Sequence, residues 1–219
     1  MAHFKAVLFD FDGVIVDSTP THLDGWAAAY GEVFQKQPEA HMLASLMGRS
    51  TVAIAALLAE KEGRPETRAS LIEKKGRYVL EHVTSIPLIP GIAAFMEKLV
   101  TANIPYGIAS NSPRGFLEAS LQHHGLPYSF FLGAEDYAQP KPDPEAYLLG
   151  GKRLGLARED YRAIAVFEDS THGIEAALGA RMTAIGVGSQ HPVQVLIEAG
   201  AHYGITDFRE VAFLDRYFS

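Results

Sequence analysis

Short, uninterrupted runs of apolar residues recur along the chain, separated by longer segments of mixed character. The clearest runs are Ala6 to Phe9, Pro105 to Ala109, Ala163 to Phe167 and Thr183 to Val187. A strand with one wet face alternates apolar and polar residues, whereas a strand buried on both faces is a continuous apolar run. The runs therefore predict buried strands of a parallel sheet, and Phe130 to Gly133 is a weaker strand candidate.

Segments with helical punctuation lie between the predicted strands. Ser112 and Pro113 form a typical N-cap and first position of a helix, and Gly125 is a typical helix end. The predicted buried stripe of this helix comprises Phe116, Leu117, Ser120 and Leu121. A second helix, predicted over residues 143–155, begins with an Asp-Pro pair and ends at a glycine. Strands and helices that alternate in this way predict an α/β fold with a Rossmann-like, doubly wound parallel sheet.

One long segment interrupts this alternation. From about Pro20 to His82 there is no strand candidate, and apolar residues recur at helical spacing instead. The first of these helical stripes comprises Leu23, Trp26, Ala27, Tyr30, Val33 and Phe34. We therefore predict an all-helical cap domain over residues 18–85, inserted into an α/β core domain formed by residues 1–17 and 86–219.

Composition and charge narrow the choice of partners. The chain has 219 residues, with 19 Lys and Arg against 26 Asp and Glu, a net charge of −7, and no cysteine. Without a dense basic run, the sequence favours a small-molecule partner over nucleic acid or a membrane surface. No apolar run is long enough for a membrane span and no secretory signal is recognisable, which predicts a cytoplasmic protein. Nothing in the sequence requires more than a monomer.

Polar residues that follow the predicted strands are the candidates for chemistry, because ligands of parallel α/β sheets bind at the carboxyl ends of the strands. Four clusters stand at such positions or in the loop after the weak strand: Asp10 to Ser18, Ser110 to Ser112, Pro140 to Pro144, and Glu168 to Ser170. Each cluster alone also fits a structural interpretation, as a turn, a helix cap or a solvated loop. Their joint occurrence in this order favours a single site.

Three of the aspartates in these clusters would need a cation if they met in one site. Asp10, Asp12 and Asp169 would repel one another and resist ionisation unless a cation neutralised them. With oxygen ligands and no cysteine, the expected cation is Mg²⁺, which bridges carboxylates and phosphate. Lys141 and the Ser110 hydroxyl are then candidates to bind the phosphate. A carboxylate beside a metal-bound phosphate is a plausible nucleophile, and a second carboxylate can exchange protons.

These residues carry a resemblance to a known family. Asp10-Phe11-Asp12-Gly13-Val14-Ile15-Val16-Asp17-Ser18, followed by Ser110, Lys141 and Glu168-Asp169-Ser170, resembles the haloacid dehalogenase-like hydrolase superfamily. The helical insert, the Lys-Pro-Asp-Pro loop and the segment around Glu168 resemble its branch of beta-phosphoglucomutase and small sugar-phosphate phosphatases.

The resemblance implies a role for each matching residue. Asp10 would form an aspartyl-phosphate, and Asp12 would be the general acid/base. Asp10, the Asp12 carbonyl and Asp169 would hold Mg²⁺, with Glu168 near the ion through water. Ser110 and Lys141 would bind phosphate; the catalytic residues expected are Asp10, Asp12, Ser110 and Lys141. An aspartate at position 12 favours phosphoester chemistry over cleavage of carbon–halogen bonds.

The candidate substrate-binding residues bear on whether the activity is that of a phosphatase or of a mutase. His22, Arg49 in a Gly48-Arg49-Ser50 turn, and Lys74 resemble cap positions of the mutase, and Asn111 and Arg114 are further candidates for substrate binding. The arginine stands at a different place in the turn than in the mutase pattern, and the residues after Ser110 differ as well. We therefore expect a Mg²⁺-dependent phosphatase acting on a sugar or polyol phosphate. A beta-phosphoglucomutase is the alternative, and a non-catalytic scaffold is a minor one.

Overall fold

A parallel sheet of six strands forms the centre of the larger part of the chain. The computed structural model describes residues 3–46 and 49–211. The strands are β1 (Ala6–Phe9), β2 (Tyr106–Ala109), β3 (Phe131–Leu132), β4 (Ile164–Glu168), β5 (Thr183–Val187) and β6 (Tyr203–Ile205). Their order in the sheet is β3-β2-β1-β4-β5-β6, and every neighbouring pair is parallel. The strand order reverses between β1 and β4, as in a doubly wound fold, so the predicted fold class is confirmed.

The strand predictions were accurate in the centre of the sheet and incomplete at its edge. β1 and β5 have the predicted bounds, and β1 is buried over its whole length. The edge strand β6 was not predicted, because it has only three residues and two of them are half-buried. A strand this short produces no apolar run that stands out from its surroundings.

Nine helices connect and cover these elements in the described part of the chain. They are α1 (Thr19–Phe34), α2 (Ala40–Leu46), α3 (Thr51–Lys61), α4 (Arg68–Glu81), α5 (Ile92–Thr101), α6 (Arg114–His124), α7 (Glu145–Arg153), α8 (Thr171–Gly179) and α9 (Val193–Glu198). Short 3-10 helices stand at Pro65–Thr67, Val83–Ser85 and Arg158–Ala163. Within the described chain, no helix is both long and apolar enough to cross a membrane.

The start of α6 differs from the prediction. Its buried residues are the predicted Phe116, Leu117, Ser120 and Leu121, and Gly125 ends it in the left-handed conformation. The N-cap, however, is Pro113, and no side chain caps the helix. The prediction of Ser112 as the cap was therefore wrong. Similarly, Pro144 is the N-cap of α7, although Asp143 still accepts a hydrogen bond from the Glu145 amide.

Alternate residues of β1 pack into the two layers that cover the sheet. Leu8 belongs to the cluster that contains Tyr147 of α7. Phe9, on the opposite face, stacks on Phe167 with 5.4 Å between ring centroids and contacts Phe95 edge-on at 6.1 Å. Burial on both faces explains why the strand sequence is continuously apolar.

The chain divides into two compact units. One contains the described parts of Met1–Asp17 and Pro87–Ser219 and includes the whole sheet; the other contains the described parts of Ser18–Ile86. The second unit has helices but no strand among its described residues, and α1 packs against α4. Its core comprises Trp26, Ala29, Tyr30, Phe34, Leu43, Ile54, Ala55, Leu58, Ala59 and Leu71.

Candidate active site

The carboxyl ends of the central strands bring the predicted site residues together. Asp10 follows β1, Ser110 follows the neighbouring β2, and Glu168 ends β4 on the other side. The Asp10 amide donates to the Phe167 carbonyl at 2.9 Å, which continues the ladder between β1 and β4 by one step. The direction of the three strands therefore fixes where their first polar side chains lie.

Lys141 is buried among these strand ends, although it stands in a loop between two prolines. Its Nζ, which has three N–H groups, lies within hydrogen-bond distance of four acceptors: the Asp10 carboxylate (2.5 Å), the Glu168 carboxylate (2.7 Å), the Ala109 carbonyl (2.8 Å) and the Tyr147 hydroxyl (2.8 Å). A solvated loop lysine would not be surrounded by acceptors in this way. Burial of the ammonium group is tolerated here because two carboxylates offset its charge.

Glu168 is bound by protein groups on both carboxylate oxygens. Oε1 accepts from Lys141 and from the Tyr147 hydroxyl (2.5 Å), and Oε2 accepts from the Asp169 amide (3.2 Å) and the Ser170 hydroxyl (3.1 Å). A Cβ atom at Gly173 would lie 1.8 Å from the Glu168 Cδ, so a glycine is required at this place in α8. The structure thus holds Glu168 in one position beside Lys141.

Asp169 is the carboxylate of the site whose hydrogen bonding is least complete. It is buried, and its Oδ2 has no hydrogen-bond partner among the described residues. Gly13 provides the room for it, because a Cβ there would lie 1.8 Å from this oxygen. Gly13 also has φ of +75°, a conformation that glycine adopts without strain. Gly13 therefore leaves space for the carboxylate of Asp169, which directly follows β4.

The electrostatics of the cluster oppose full ionisation. Burial raises the pKa of Asp10 to about 8, and the charges of Glu168 and Asp12 add to the rise while Lys141 opposes it. Burial, followed by the charge of Asp10, raises the pKa of Asp169 well above its ordinary value. For Lys141, burial lowers the pKa, but the carboxylates of Asp10 and Glu168 outweigh it and the net shift is upward.

This donor set fits a hard divalent cation. Asp10, Glu168 and Asp169 each offer a carboxylate oxygen, and these three atoms lie within 4.8 Å of one another. One lysine cannot neutralise three buried carboxylates, and the unpartnered Asp169 oxygen lacks the donor or ion that a buried carboxylate requires. All the ligands are oxygens, which is the preference of Mg²⁺ and Ca²⁺.

Two serine hydroxyl groups of the loop after β2 lie close to the carboxylate of Asp12. The Ser112 Oγ donates to the Asp12 Oδ2 at 2.5 Å, and the Ser110 Oγ lies 3.4 Å from the same oxygen. The Ser112 amide in turn donates to the Ser110 Oγ at 3.1 Å. Of the two serines, only Ser110 was predicted as a site residue, because Ser112 had been interpreted as a helix cap.

Asn111 binds the backbone of Lys141. Its Oδ1 accepts from the Lys141 amide at 3.1 Å, and its Nδ2 lies 3.4 Å from the Lys141 carbonyl. The Tyr137 hydroxyl lies 2.9 Å from the same Oδ1 and 2.6 Å from the Ser110 carbonyl. Asn111 was predicted to bind substrate; in this structure its amide group holds the loop that carries Lys141, whose peptide bond to Pro142 is cis.

Arg114 lies at the start of α6 and is paired with the loop after β3. Its guanidinium donates to Asp136 at 2.5 Å and lies 4.6 Å above the ring of Phe131. Its amide donates to the Glu135 carboxylate at 2.9 Å. Arg114 stays a predicted substrate-binding residue, and in this structure its guanidinium is paired with Asp136.

The predicted residues of the helical unit are spread over different elements. His22 is buried on α1, Arg49 is exposed, and Gly48 of the predicted turn lies outside the described residues. Lys74 forms an ion pair with Glu32 at 2.5 Å, which Arg77 shares at 3.1 Å. The adjacent Lys75 is buried, with its Nζ 5.8 Å from the centre of the Trp26 ring.

Sequence reasoning missed several residues that contact the site: Ser112, Tyr137, Tyr147 and Gly173. Tyr147 had a recognisable signal, because it lies within the first turn of the helix that follows Lys141 and must face the sheet to be buried. Tyr137 lies in a loop without periodicity, and no pattern in the sequence indicates its contacts.

Comparisons with known proteins agree with this arrangement. Hexitol phosphatase A of Escherichia coli (strain K12) is 33% identical over 84% of this chain and 82% of its own length. Fructose-1-phosphate phosphatase YqaB of the same organism is 28% identical, over 84% of this chain and 96% of its own. Beta-phosphoglucomutase of Bacillus subtilis (strain 168) is also 28% identical, over 86% and 85% of the two chains.

A solved structure extends the similarity to nearly the whole fold. The crystal structure of a hydrolase of family IA, variant 3, from Entamoeba histolytica superposes with a TM-score of 0.87 and 27% identity, covering 98% of both chains. The sequence itself matches the haloacid dehalogenase-like hydrolase family over residues 7–187, which include every strand end of the site. This chain belongs to the haloacid dehalogenase-like hydrolase family.

Proposed function

We propose that this protein is a Mg²⁺-dependent phosphatase that hydrolyses a small phosphorylated sugar or polyol through an aspartyl-phosphate on Asp10. The observation that carries the proposal is the buried cluster in which Lys141 bridges Asp10 and Glu168, while one oxygen of Asp169 has no hydrogen-bond partner among the described residues. The similarity to a hexitol phosphatase and a fructose-1-phosphate phosphatase supports the class of substrate.

Each residue has a defined part in the proposed reaction. A carboxylate oxygen of Asp10 attacks phosphorus, and the bond from phosphorus to the ester oxygen breaks as Asp12 gives that oxygen a proton. Water then attacks the aspartyl-phosphate, Asp12 takes a proton from the water, and the bond to Asp10 breaks. Lys141 and Ser110 bind the phosphoryl oxygens, and Lys141 also keeps the nucleophile in place.

The carboxylates of Asp10 and Asp169 and the backbone carbonyl of Asp12 would hold the metal ion. When bound, Mg²⁺ neutralises charge on the carboxylates and on the transferring phosphoryl group. Both oxygens of Glu168 already accept hydrogen bonds from the protein, so we infer that Glu168 acts mainly by holding Lys141. A divalent cation would also bring the pKa of Asp10 down from about 8, so that the nucleophile is ionised at neutral pH.

A beta-phosphoglucomutase is the second candidate, favoured by the Bacillus subtilis relative and by the buried His22 on α1. Against it, the arginine of the cap turn stands at position 49 rather than where the mutase pattern has it, and the residues that follow Ser110 also differ from that pattern. We therefore favour hydrolysis over transfer. Incubation with beta-glucose 1-phosphate and a catalytic amount of the bisphosphate distinguishes the two, because the mutase releases glucose 6-phosphate and the phosphatase releases free phosphate.

Substitution of the nucleophile tests the main proposal. With p-nitrophenyl phosphate and Mg²⁺, we expect Asp10→Asn to abolish turnover, since the amide cannot form the acyl phosphate. The matched control is Asp160→Asn, because Asp160 is an exposed partner of Lys5 at the amino ends of β1 and β4, away from the site at their carboxyl ends. Turnover by Asp10→Asn at the wild-type rate would refute the proposal.

The substrate is then identified with a panel of sugar, polyol and nucleotide monophosphates. We expect the highest kcat/KM among sugar and polyol phosphates. A non-catalytic scaffold would turn over none of these compounds. The presence of Asp10, Asp12, Lys141 and Asp169 argues against that alternative. A cytoplasmic location and a monomeric state stay predictions of the sequence.

A further inference from the structure

We propose that Ser112 is a positioning residue that holds the carboxyl group of Asp12 in one orientation through both half-reactions. The inference rests on the proposed function, in which Asp12 first gives and then takes a proton. It concerns a contact that joins two loops far apart in the sequence, the loop after β1 and the loop after β2. The hydroxyl of Ser112 donates to the Asp12 Oδ2 at 2.5 Å.

The second hydroxyl near Asp12 makes a weaker contact. The Ser110 Oγ lies 3.4 Å from the same oxygen, beyond the usual range for a hydrogen bond between two oxygens. Ser110 also accepts a hydrogen bond from the Ser112 amide. The short contact therefore belongs to Ser112, which leaves Ser110 available for the phosphate.

The backbone of Ser112 is fixed on both sides. Its amide donates to the Ser110 Oγ at 3.1 Å, and its carbonyl accepts from the Ala134 amide at 3.0 Å. Pro113 follows with φ of −60° and caps α6 through its backbone position, without any side-chain hydrogen bond. Because the helix does not use the Ser112 hydroxyl as a cap, that hydroxyl is free to serve Asp12, and a rigid backbone carries it.

A hydroxyl group suits a partner that changes its protonation state. Serine can donate one hydrogen bond and can also accept, whereas an amide NH only donates and a carbonyl only accepts. When Asp12 is a carboxylate, Ser112 donates to it. When Asp12 is protonated, its own O–H can donate to the Ser112 Oγ. The same contact therefore survives the transfer of the proton to the leaving oxygen and the later removal of a proton from water.

The leaving group reveals whether Ser112 acts through Asp12. p-Nitrophenolate leaves without protonation, whereas phenolate is more basic and depends more strongly on a general acid. We expect Ser112→Ala to lower kcat/KM for phenyl phosphate roughly 10-fold to 100-fold, the range for loss of a hydrogen bond to a charged group. For p-nitrophenyl phosphate we expect a decrease of less than about 3-fold, because general-acid assistance contributes little there.

The ratio of the two kcat/KM values is the quantity to measure. Partial unfolding or loss of active protein lowers both values by the same factor, so the ratio reports only on the chemistry of the leaving group. Ser112→Thr keeps a hydroxyl and should restore the wild-type ratio. Ser120→Ala is the matched control, since Ser120 is a buried serine of α6 whose Oγ has no hydrogen-bond partner in the described part of the chain.

A second substitution tests the link to Asp12 directly. In an Asp12→Asn background the general acid is absent, so Ser112→Ala should leave the ratio unchanged. An equal decrease for both esters in Ser112→Ala would overturn the inference and leave the proposed function standing. If the wild type hydrolyses neither ester, the proposed function fails and the inference fails with it.

Discussion

Two lysines, one in each compact unit, form ion pairs of the same length in different surroundings. Lys141 lies 2.5 Å from Asp10 and Lys74 lies 2.5 Å from Glu32. The side chain of Lys141 is 4% exposed and that of its partner 11%, whereas Lys74 is 26% and Glu32 48% exposed. The distance alone therefore does not distinguish them; what differs is how much water each charge retains.

The comparison teaches what each pair can do. A buried ammonium group must be surrounded by acceptors, and Lys141 has Ala109, Tyr147 and Glu168 in addition to Asp10. Water weakens an exposed pair, and both partners can reorient at little cost. Lys141 is consequently held in one position, which suits catalysis, whereas Lys74 can exchange Glu32 for another anion.

The largest expected effect separates the two lysines. We expect Lys141→Met to lower the free energy of unfolding by about 3–5 kcal/mol, because it leaves buried carboxylates without their cation. We also expect it to lower kcat for p-nitrophenyl phosphate at least about 100-fold. Lys74→Met should leave the free energy of unfolding nearly unchanged, because water already weakens its exposed ion pair. Urea unfolding and steady-state kinetics of both variants test the comparison, and losses of equal size would contradict it.

The next effect concerns pH and the metal. Burial raises the pKa of the Asp10 carboxyl group to about 8 in the metal-free folded protein, whereas its ordinary pKa, expected in the unfolded chain, is 3.8. Because the folded protein binds this proton more tightly, protonated Asp10 contributes its full share to the free energy of unfolding below about pH 4. That contribution decreases as the pH rises toward 8, by at most about 1.4 kcal/mol per pH unit.

Asp10→Asn cannot ionise, so it isolates this contribution. Without metal, the melting temperature of the wild type minus that of Asp10→Asn should fall between pH 5 and pH 8. Addition of Mg²⁺ at pH 8 should raise the melting temperature of the wild type more than that of the variant. A difference that rises with pH in the absence of metal would show that the Asp10 carboxyl group is ionised there.

A smaller effect compares one glycine from each unit. Gly173 abuts the Glu168 carboxylate, so Gly173→Ala should lower the free energy of unfolding by about 1–3 kcal/mol and also lower activity. Gly76 lies within α4, and a Cβ atom there would have no neighbour within 4 Å. Gly76→Ala should therefore raise stability by about 0.5–1 kcal/mol. Denaturant unfolding of both variants, with activity measured on p-nitrophenyl phosphate, tests the pair.

The predictable part of the site lies on the sheet. Asp10, Ser110, Glu168 and Asp169 follow or end strands whose apolar runs are evident in the sequence. Once those strands are parallel and adjacent, their carboxyl ends must meet. The same reasoning does not apply to the helical unit, because polar residues of a helix point in many directions. No local pattern shows which of them bind a substrate.

Some contacts were not predicted because one residue type can serve two purposes. Ser112 before a proline is a typical helix cap, yet its hydroxyl binds Asp12, 100 residues away in sequence. Asn111 stays a predicted substrate-binding residue, and its side-chain amide also binds the backbone of Lys141. A local pattern records what a side chain can bond to, and the fold determines which of those partners comes within reach.

By itself, the sequence determined the order of the main elements, the helical insertion after the first strand and the residues at the strand ends, since these follow from apolar periodicity and chain direction. Only the tertiary structure decided that Lys141 is buried against Asp10, 131 residues away, that Tyr147 contacts Lys141, and that Gly173 leaves room for the Glu168 carboxylate. The reason is physical: burial and hydrogen bonding between distant segments depend on how the layers pack, which no local pattern encodes.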